Sequence, residues 1–297
     1  ETPILFRENS TIDILPIEEI VPHRENPKHG VKYTTFKNGN IEIWDKDKWT
    51  KVKTMTATWN KAGSRGDKKV LRVVCRGGYY VATSDHLSFL EGGKKIATAY
   101  LKKGDKLELG RFPEATNIVG LTSEEAEFLG MMAGDGYVSA DGKARFVNTD
   151  RTLRERMSAL WTRISGGYSH EAVHPSGYVE DCDIPSVELF GNRNYLRMIW
   201  HELYTEKLFK KVSKRVLNAD VSAMRAFIKG YNVCDGLKGG RQKTELKSFT
   251  TNSPTLALGL WYLTSVAYSL RITLHPEFRN ERTYFHLNIN SDNKTKK

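Results

Sequence analysis

The spacing of apolar positions changes character near residue 115. Before it, apolar residues alternate with polar ones: Ile4 and Phe6, then Ile12, Ile14 and Ile17. This period predicts two short strands around a turn at Glu8-Asn9-Ser10. Further strands are expected over 31–58, where Trp44, Trp49 and Trp59 lie among lysines. Residues 70–75 and 79–83 read as a hairpin through Gly77-Gly78. Residues 96–101 and 106–109 flank a turn at Gly104-Asp105. The first 113 residues therefore read as all-β.

From residue 118 onward the period lengthens. Residues 124–134 and 221–234 carry apolar side chains at mixed three- and four-residue steps, which predicts helices. Thr122 or Ser123 caps the first, with Glu124 and Glu125 in its first turn. Strands over 137–139 and 143–149 follow, joined at Ala140-Asp141-Gly142. A helix over 151–164 then ends at Gly166-Gly167. Strands over 168–173 and 178–189 and a helix over 194–203 complete this unit. The order recurs after the second helix: strand 244–251, helix 254–270, strands 272–274 and 284–289. Residues 145–149 match 247–251 in pattern, which supports a duplicated unit. The fold class is α+β.

Two copies of one nine-residue stretch organise this half. The first is Phe128-Leu129-Gly130-Met131-Met132-Ala133-Gly134-Asp135-Gly136, and the second is Ile228-Lys229-Gly230-Tyr231-Asn232-Val233-Cys234-Asp235-Gly236. Each reads as a helix end, with Gly136 or Gly236 supplying a left-handed stop. Gly130 and Gly134 share a helix face, as do Gly230 and Cys234, so two backbones can approach closely there. Asp135 and Asp235 then stand at helix C-termini, where a negative charge opposes the helix dipole by roughly 0.3–1 kcal/mol. Packing the helices together adds mutual repulsion, and divalent cations relieve both penalties. A turn-forming Asp-Gly explains one copy. It does not explain two with the same small residues and similar following strands.

Composition sharpens this picture. The chain has 297 residues, 39% hydrophobic and 27% charged, enough for two globular domains. There is no membrane-spanning apolar run and no signal-peptide pattern. Cys75, Cys182 and Cys234 have no metal-ligand spacing and are expected as thiols in an intracellular setting. The net charge of +11 favours a polyanionic partner. Residues 22–70 hold 12 basic and 5 acidic residues, a net of +7, whereas 114–297 hold 25 and 21, a net of +4. The basic segment, with Lys46, Lys48, Lys51, Lys53, Lys61, Arg65, Lys68 and Lys69, is a candidate phosphate-tracking surface; the alternative is an ordinary solvated β face.

The two nine-residue stretches resemble the LAGLIDADG motif of homing endonucleases, most clearly at Gly130, Asp135 and Gly136 and at Gly230, Asp235 and Gly236. The second departs in its middle, where Lys229, Asn232 and Cys234 are polar. The resemblance implies a duplicated αββαββα domain over 118–297, with repeats about 118–215 and 216–297 and a pseudo-two-fold axis between the motif helices. It also implies a monomer that hydrolyses phosphodiesters of double-stranded DNA with Mg²⁺ (or Mn²⁺). Asp135 and Asp235 would be catalytic and metal-binding, with the carbonyls of Gly134 and Cys234 completing the shell and Lys247 as the basic residue. Arg145, Asn148, Lys247, Thr250, His286 and Asn288 alternate on the strands and are candidate DNA contacts.

The N-terminal half resembles the Hint splicing domain of inteins, particularly those of DNA polymerases. Glu1-Thr2-Pro3-Ile4-Leu5 resembles the segment after an intein's first residue. Val81-Ala82-Thr83-Ser84-Asp85-His86 resembles the Thr-x-x-His block, and Ala99-Tyr100-Leu101-Lys102-Lys103-Gly104-Asp105 the Leu-Lys-x-Gly-Asp segment. Thr83 and His86 would act on a scissile amide. The splicing nucleophile and the closing His-Asn are not in the sequence, so self-splicing is not expected. Either this is a fragment, or a separate C-terminal intein fragment is a partner. Three functions compete: an active homing endonuclease, a splicing element with an inactive endonuclease, and a nucleic-acid-binding module without chemistry.

Overall fold

The computed structural model describes residues 2–21, 32–36, 40–58, 68–175, 183–236 and 246–290. Trp59, Lys61, Arg65 and Cys182 lie outside them, as do the parts of expected strands within 176–182 and 237–245.

In the N-terminal half, β1 (Pro3–Glu8) and β2 (Thr11–Pro16) form the expected hairpin, turning at Asn9 and Ser10 with φ of 49° and 66°. A one-turn helix, α1 (Ile17–Ile20), follows. Next come β3 (Lys32–Phe36), β4 (Ile41–Asp45), β5 (Lys48–Lys51) and β6 (Thr54–Thr58). β4 and β5 extend the first hairpin into a sheet of order β2-β1-β4-β5, and β3 pairs with β6. The predicted hairpin is present as β7 (Val70–Cys75) and β8 (Gly78–Thr83). β9 (Leu87–Phe89) pairs with β10 (Lys95–Ala97). The strand expected over 96–101 stops early because Thr98 turns back, its N–H and hydroxyl both donating to the His86 carbonyl at 2.8 and 3.0 Å. Residues 106–109 make only a bridge, Leu90 to Leu107.

The second half contains α2 (Ser123–Gly134), β11 (Gly136–Val138), β12 (Ala144–Val147), α3 (Arg151–Ser165), β13 (Tyr168–Pro175), β14 (Asp183–Phe190) and α4 (Arg193–Leu203). A short α5 (Lys214–Leu217), not evident in the sequence pattern, leads to α6 (Val221–Asp235). β15 (Ser248–Thr251), α7 (Pro254–Tyr268), β16 (Arg271–Arg279) and β17 (Arg282–Asn290) complete the described chain. Two antiparallel sheets result, β11-β12-β14-β13 and β15-β17-β16. Sequence signals set the helix starts: Thr122, Asp150, Asn192, Asp220 and Ser253 each accept a first-turn N–H on the side chain. β16 runs through Pro276, where the sequence pattern suggested a stop. It does so because β16 is an edge strand, which tolerates a residue without an N–H.

The centre of the molecule is the contact between α2 and α6. A Cβ on Gly130 would overlap the Phe227 carbonyl oxygen, and one on Gly230 would overlap the Glu127 carbonyl oxygen. The two contacts are reciprocal. Farther along, a Cβ on Gly134 would lie 2.6 Å from that of Cys234, so the helices also converge at their C-terminal ends. Around this pair lies one extensive core that includes Phe128, Phe146, Trp161, Phe227, Tyr231 and Phe249.

The N-terminal hairpin shares this core. Ile12 and Ile14 on β2 are fully buried in it, beside α5 and α7. The fully buried Asn218 side chain accepts from the Ile12 N–H at 2.8 Å and donates to the Ile12 carbonyl at 2.7 Å, as a strand neighbour would. By contrast, Phe6, Ile41 and Met55 form a small separate cluster.

Candidate functional site

The converging ends of α2 and α6 deliver Asp135 and Asp235, the next residue after Gly134 and Cys234 respectively, to one place. Neither following glycine acts as the left-handed stop expected from sequence. Gly236 has φ of −71°, and Gly136 begins β11. Glycine is required there for close approach instead. A Cβ on Gly136 would lie 2.5 Å from the Met132 Cα, and one on Gly236 would overlap the Asn232 carbonyl and side chain.

Asp135 is half-buried and held in place. Its carboxylate accepts from the Asn148 side-chain amide at 2.5 Å, and its carbonyl accepts from the Val147 N–H at 3.1 Å. Asn148 is oriented in turn: its side-chain oxygen accepts from the Asp150 N–H at 2.8 Å, and its carbonyl accepts from the buried Arg154 guanidinium at 2.8 Å. Asn148 is therefore not a DNA-facing residue, as its polar character suggested. It is buried against the aspartate. Asp235 is exposed at the end of α6.

Strand pairing gives a second way to align the two stretches. Gly136 pairs with Phe146, and Gly236 bridges to Phe249, both phenylalanines being fully buried. The offset is 249 − 146 = 103, whereas matching 145–149 to 247–251 implies 247 − 145 = 102. Asn148 thus corresponds to Thr251, whose hydroxyl accepts from the Ser253 N–H at 3.1 Å. The same offset pairs Asp150 with Ser253, each the cap of its helix.

The basic group beside the aspartates is Lys210, which sequence reading missed. Its ammonium donates to the Gly134 carbonyl at 2.6 Å and lies 3.4 Å from that of Met132. Burial lowers its pKa, opposed by the charges of Asp235, Asp135 and Cys234. The Gly134 carbonyl, expected as a metal ligand, accepts from Lys210 through one of its two lone pairs. Tyr231, at the heart of α6, is held neutral well above the usual tyrosine range, first by burial and then by Asp235 and Asp135. Among the described residues no group of three or more His, Cys, Asp or Glu forms a metal cage. Two carboxylates beside a backbone carbonyl suit a hard cation that keeps waters, such as Mg²⁺, better than an ion needing a full protein cage. The cationic ammonium already drawn to this spot fits that expectation.

The remaining candidates fall on several surfaces. Tyr137, Arg145, Glu188 and His170 form a row across the first sheet, on the face opposite Phe146 and Val187. Arg145 pairs with Glu188 at 3.7 Å. On the second sheet Thr250 and His286 are register partners, their hydroxyl and Nδ1 3.1 Å apart, and Asn288 is exposed two residues on. Lys247 has the parity of buried Phe249 rather than of Thr250, and is half-buried ahead of β15. Lys46, Lys48, Lys51 and Lys53 are exposed around β5, with Lys46 paired to Glu108 at 3.5 Å. Thr83 and His86 close a turn in which the His86 N–H donates to the Thr83 carbonyl at 3.0 Å. Asp85 within it is held at about 2 by Lys68 and the Thr83 hydroxyl.

No family model matches the chain. A DNA polymerase of Acanthamoeba polyphaga mimivirus is 23% identical over 305 residues; the alignment covers 93% of this chain but only 16% of the polymerase. Among solved structures, the homing endonuclease I-WcaI bound to its DNA recognition sequence aligns with a TM-score of 0.39 and 12% identity, over 56% of this chain and 75% of that one. I-DmoI in complex with DNA and Mn gives 0.38 and 16%, over 57% and 89%. Full-length DUF199/WhiA from Thermatoga maritima gives 0.36 and 10%, over 58% and 54%. No helix among the described residues is long and apolar enough to cross a membrane.

Proposed function

We propose that the chain is a site-specific DNA endonuclease of the homing type, making double-strand breaks by phosphodiester hydrolysis. The observation that carries this reading is the meeting of Asp135, Asp235 and Lys210 at the converged ends of two glycine-packed helices. Reciprocal overlap at Gly130 and Gly230 supports a pseudo-two-fold pair of units, suited to the two strands of a duplex. Asp135 and Asp235 would hold Mg²⁺ (or Mn²⁺), which when bound supplies charge relief on the phosphate and an acidified water. Asn148 orients the Asp135 carboxylate. Lys210 takes the basic role suggested for Lys247: it places positive charge where the phosphate's negative charge grows and offers a proton at Nζ to the leaving oxygen. Arg145, Thr250, His286 and Asn288 face outward from the two sheets and would contact double-stranded DNA; Lys46, Lys48, Lys51 and Lys53 would add phosphate contacts.

We further propose that this endonuclease belongs to an intein. The similarity to a small part of a DNA polymerase supports an inserted element, and the mainly β half ending its hairpin at Thr83 supports a Hint-like role for Thr83 and His86. The test of the main reading is cleavage of a plasmid carrying a polymerase-gene insertion site, with Mg²⁺ or with EDTA. A Mg²⁺-dependent double-strand cut, lost in Asp135→Asn while a gel shift persists, is the expected result. A salt-sensitive shift with no cut would favour a binding-only descendant.

A further inference from the structure

Lys210 does not belong to any long element. Tyr204 and Lys210 bridge antiparallel, and the chain turns between them with Leu208 at φ of 63°. The Leu208 N–H donates to the Thr205 carbonyl at 2.9 Å, and the Phe209 N–H donates to the Thr205 hydroxyl at 3.2 Å. This strap is anchored on two sides. Toward α7, the Lys210 carbonyl accepts from the hydroxyls of Ser253 and Thr255, the latter at 2.9 Å. Toward the N-terminal half, Lys211 pairs with Asp13 of β2 at 3.6 Å, the two residues only 6% and 7% exposed. Lys207 pairs with Glu18 of α1 at 3.0 Å. Asp13 is itself fixed, accepting from the Ile14 N–H at 2.8 Å, and β2 is locked to the core through Asn218.

A lysine ammonium sits on a flexible four-carbon stem, so its placement is only as good as that of the backbone beneath it. Here the neighbouring lysine is a buried ion-pair partner of the opposite half of the molecule. We propose that the N-terminal hairpin is a positioning clamp for the nuclease centre: Asp13 on Lys211 and Glu18 on Lys207 hold the strap so that Lys210 reaches the Gly134 carbonyl between the two aspartates. Asp13, Glu18, Lys207 and Lys211 are positioning residues and touch no substrate. The centre is then not contained within the duplicated half; it is completed by residues 11–20. This inference rests on the endonuclease reading for its catalytic consequence, but its structural part stands apart from it.

The experiment compares full-length Asp13→Asn, Glu18→Gln and the exchange Asp13→Lys with Lys211→Asp against the unmodified chain. Amide hydrogen exchange over 204–211, DNA affinity by gel shift and the single-turnover cleavage rate with Mg²⁺ are read together. Asp13→Asn should speed exchange in the strap and cut the cleavage rate about tenfold or more, as misplacement of a positioned group does, with affinity within about twofold, since no phosphate contact is lost. Glu18→Gln, at a more exposed pair, should show the same split at smaller size, and it decides the matter if Asp13→Asn does not fold. Restoration of rate by the charge exchange would support the clamp over general destabilisation. Unchanged strap exchange in both single variants would overturn the proposal, as would faster exchange with an unchanged cleavage rate. If the unmodified chain cuts no DNA, the endonuclease reading fails, and strap exchange alone decides the clamp.

Discussion

The two copies of the motif share a backbone plan and differ in how they treat their aspartates. In the first, Asp135 is half-buried and tied to Asn148, which is tied to Arg154. In the second, Asp235 is exposed, and the counterpart of Asn148 is Thr251, which has no amide to offer and instead accepts from Ser253. Their helix interiors differ too. Met131 and Met132 in α2 correspond in position to Tyr231 and Asn232 in α6, both buried, and the Asn232 side-chain oxygen has no hydrogen-bond partner among the described residues. The lesson is that close helix packing is reciprocal between the two motif stretches, whereas the polar surroundings of each carboxylate are separately specified. The Asp135 carboxylate is half-buried against an amide, and Asp235 is the more exposed of the two.

The strongest challenge to this comparison is to remove the charges. Asp135→Asn and Asp235→Asn should each lower the cleavage rate by about a thousandfold, the scale on which loss of a key electrostatic group acts, with gel-shift affinity retained. If only one variant loses activity, the copies do not contribute alike. The next effect is on stability. Gly130→Ala and Gly230→Ala each drive a methyl into a backbone carbonyl, so each should cost about 3 kcal/mol or more in urea unfolding. A mild Gly230→Ala would break the reciprocity. Asn148→Ala should slow cleavage about tenfold, as loss of an orienting partner does, whereas Thr251→Ala should change it less than about twofold. Equal effects would show that Thr251 orients Asp235 as Asn148 orients Asp135.

A smaller effect separates the helix interiors. Asn232→Leu, which removes a buried oxygen without a protein partner, should stabilise the fold by about 1 kcal/mol; a loss in thermal midpoint would mean the amide has a partner that matters. Smallest is the alkaline response. Tyr231 is held neutral in the fold, whereas in the unfolded chain it ionises near about 10. Its folded-state pKa is raised, so its contribution is complete below the unfolded value and is lost as pH rises from there through the folded one. Tyr231→Met, which copies the first helix, should flatten the fall in stability at high pH. An unchanged slope would place the alkaline sensitivity elsewhere, for instance in Tyr195 or Tyr262, whose phenols burial also raises.

Much of this molecule was legible in its sequence because the deciding signals are local. The cap expected at Thr122 or Ser123, the Asn9-Ser10 turn, the β7–β8 hairpin and the paired small residues follow from one or two neighbours each. What escaped was set by partners distant in the chain. Lys210 lies in a segment with no period, and its importance comes from Gly134, 76 residues away. Asn148 is polar, which suggested solvent, yet it has the parity of buried Ala144 and Phe146, and the helix end beside it supplies the partner that lets it be buried. The 102-residue match placed Arg145 opposite Lys247 because both stretches are polar, apolar, then threonine-ended. Burial of Phe146 and Phe249 shifts it by one. The union of β2 with the helical core had no local mark beyond Ile12 and Ile14, which read equally well as the inside of a self-contained β domain.

The outer edge of β16 bears on solubility. An open sheet edge is a template for another chain, and growth from it leads to fibres. Two features oppose that here. Pro276 removes one backbone donor from the edge strand, and the β7–β8 hairpin packs beside it, with Tyr79 5.8 Å from Phe285 and Arg72 stacked 3.7 Å over Phe278. The N-terminal half therefore covers part of this sheet, and variants that loosen the hairpin are expected to aggregate before they unfold.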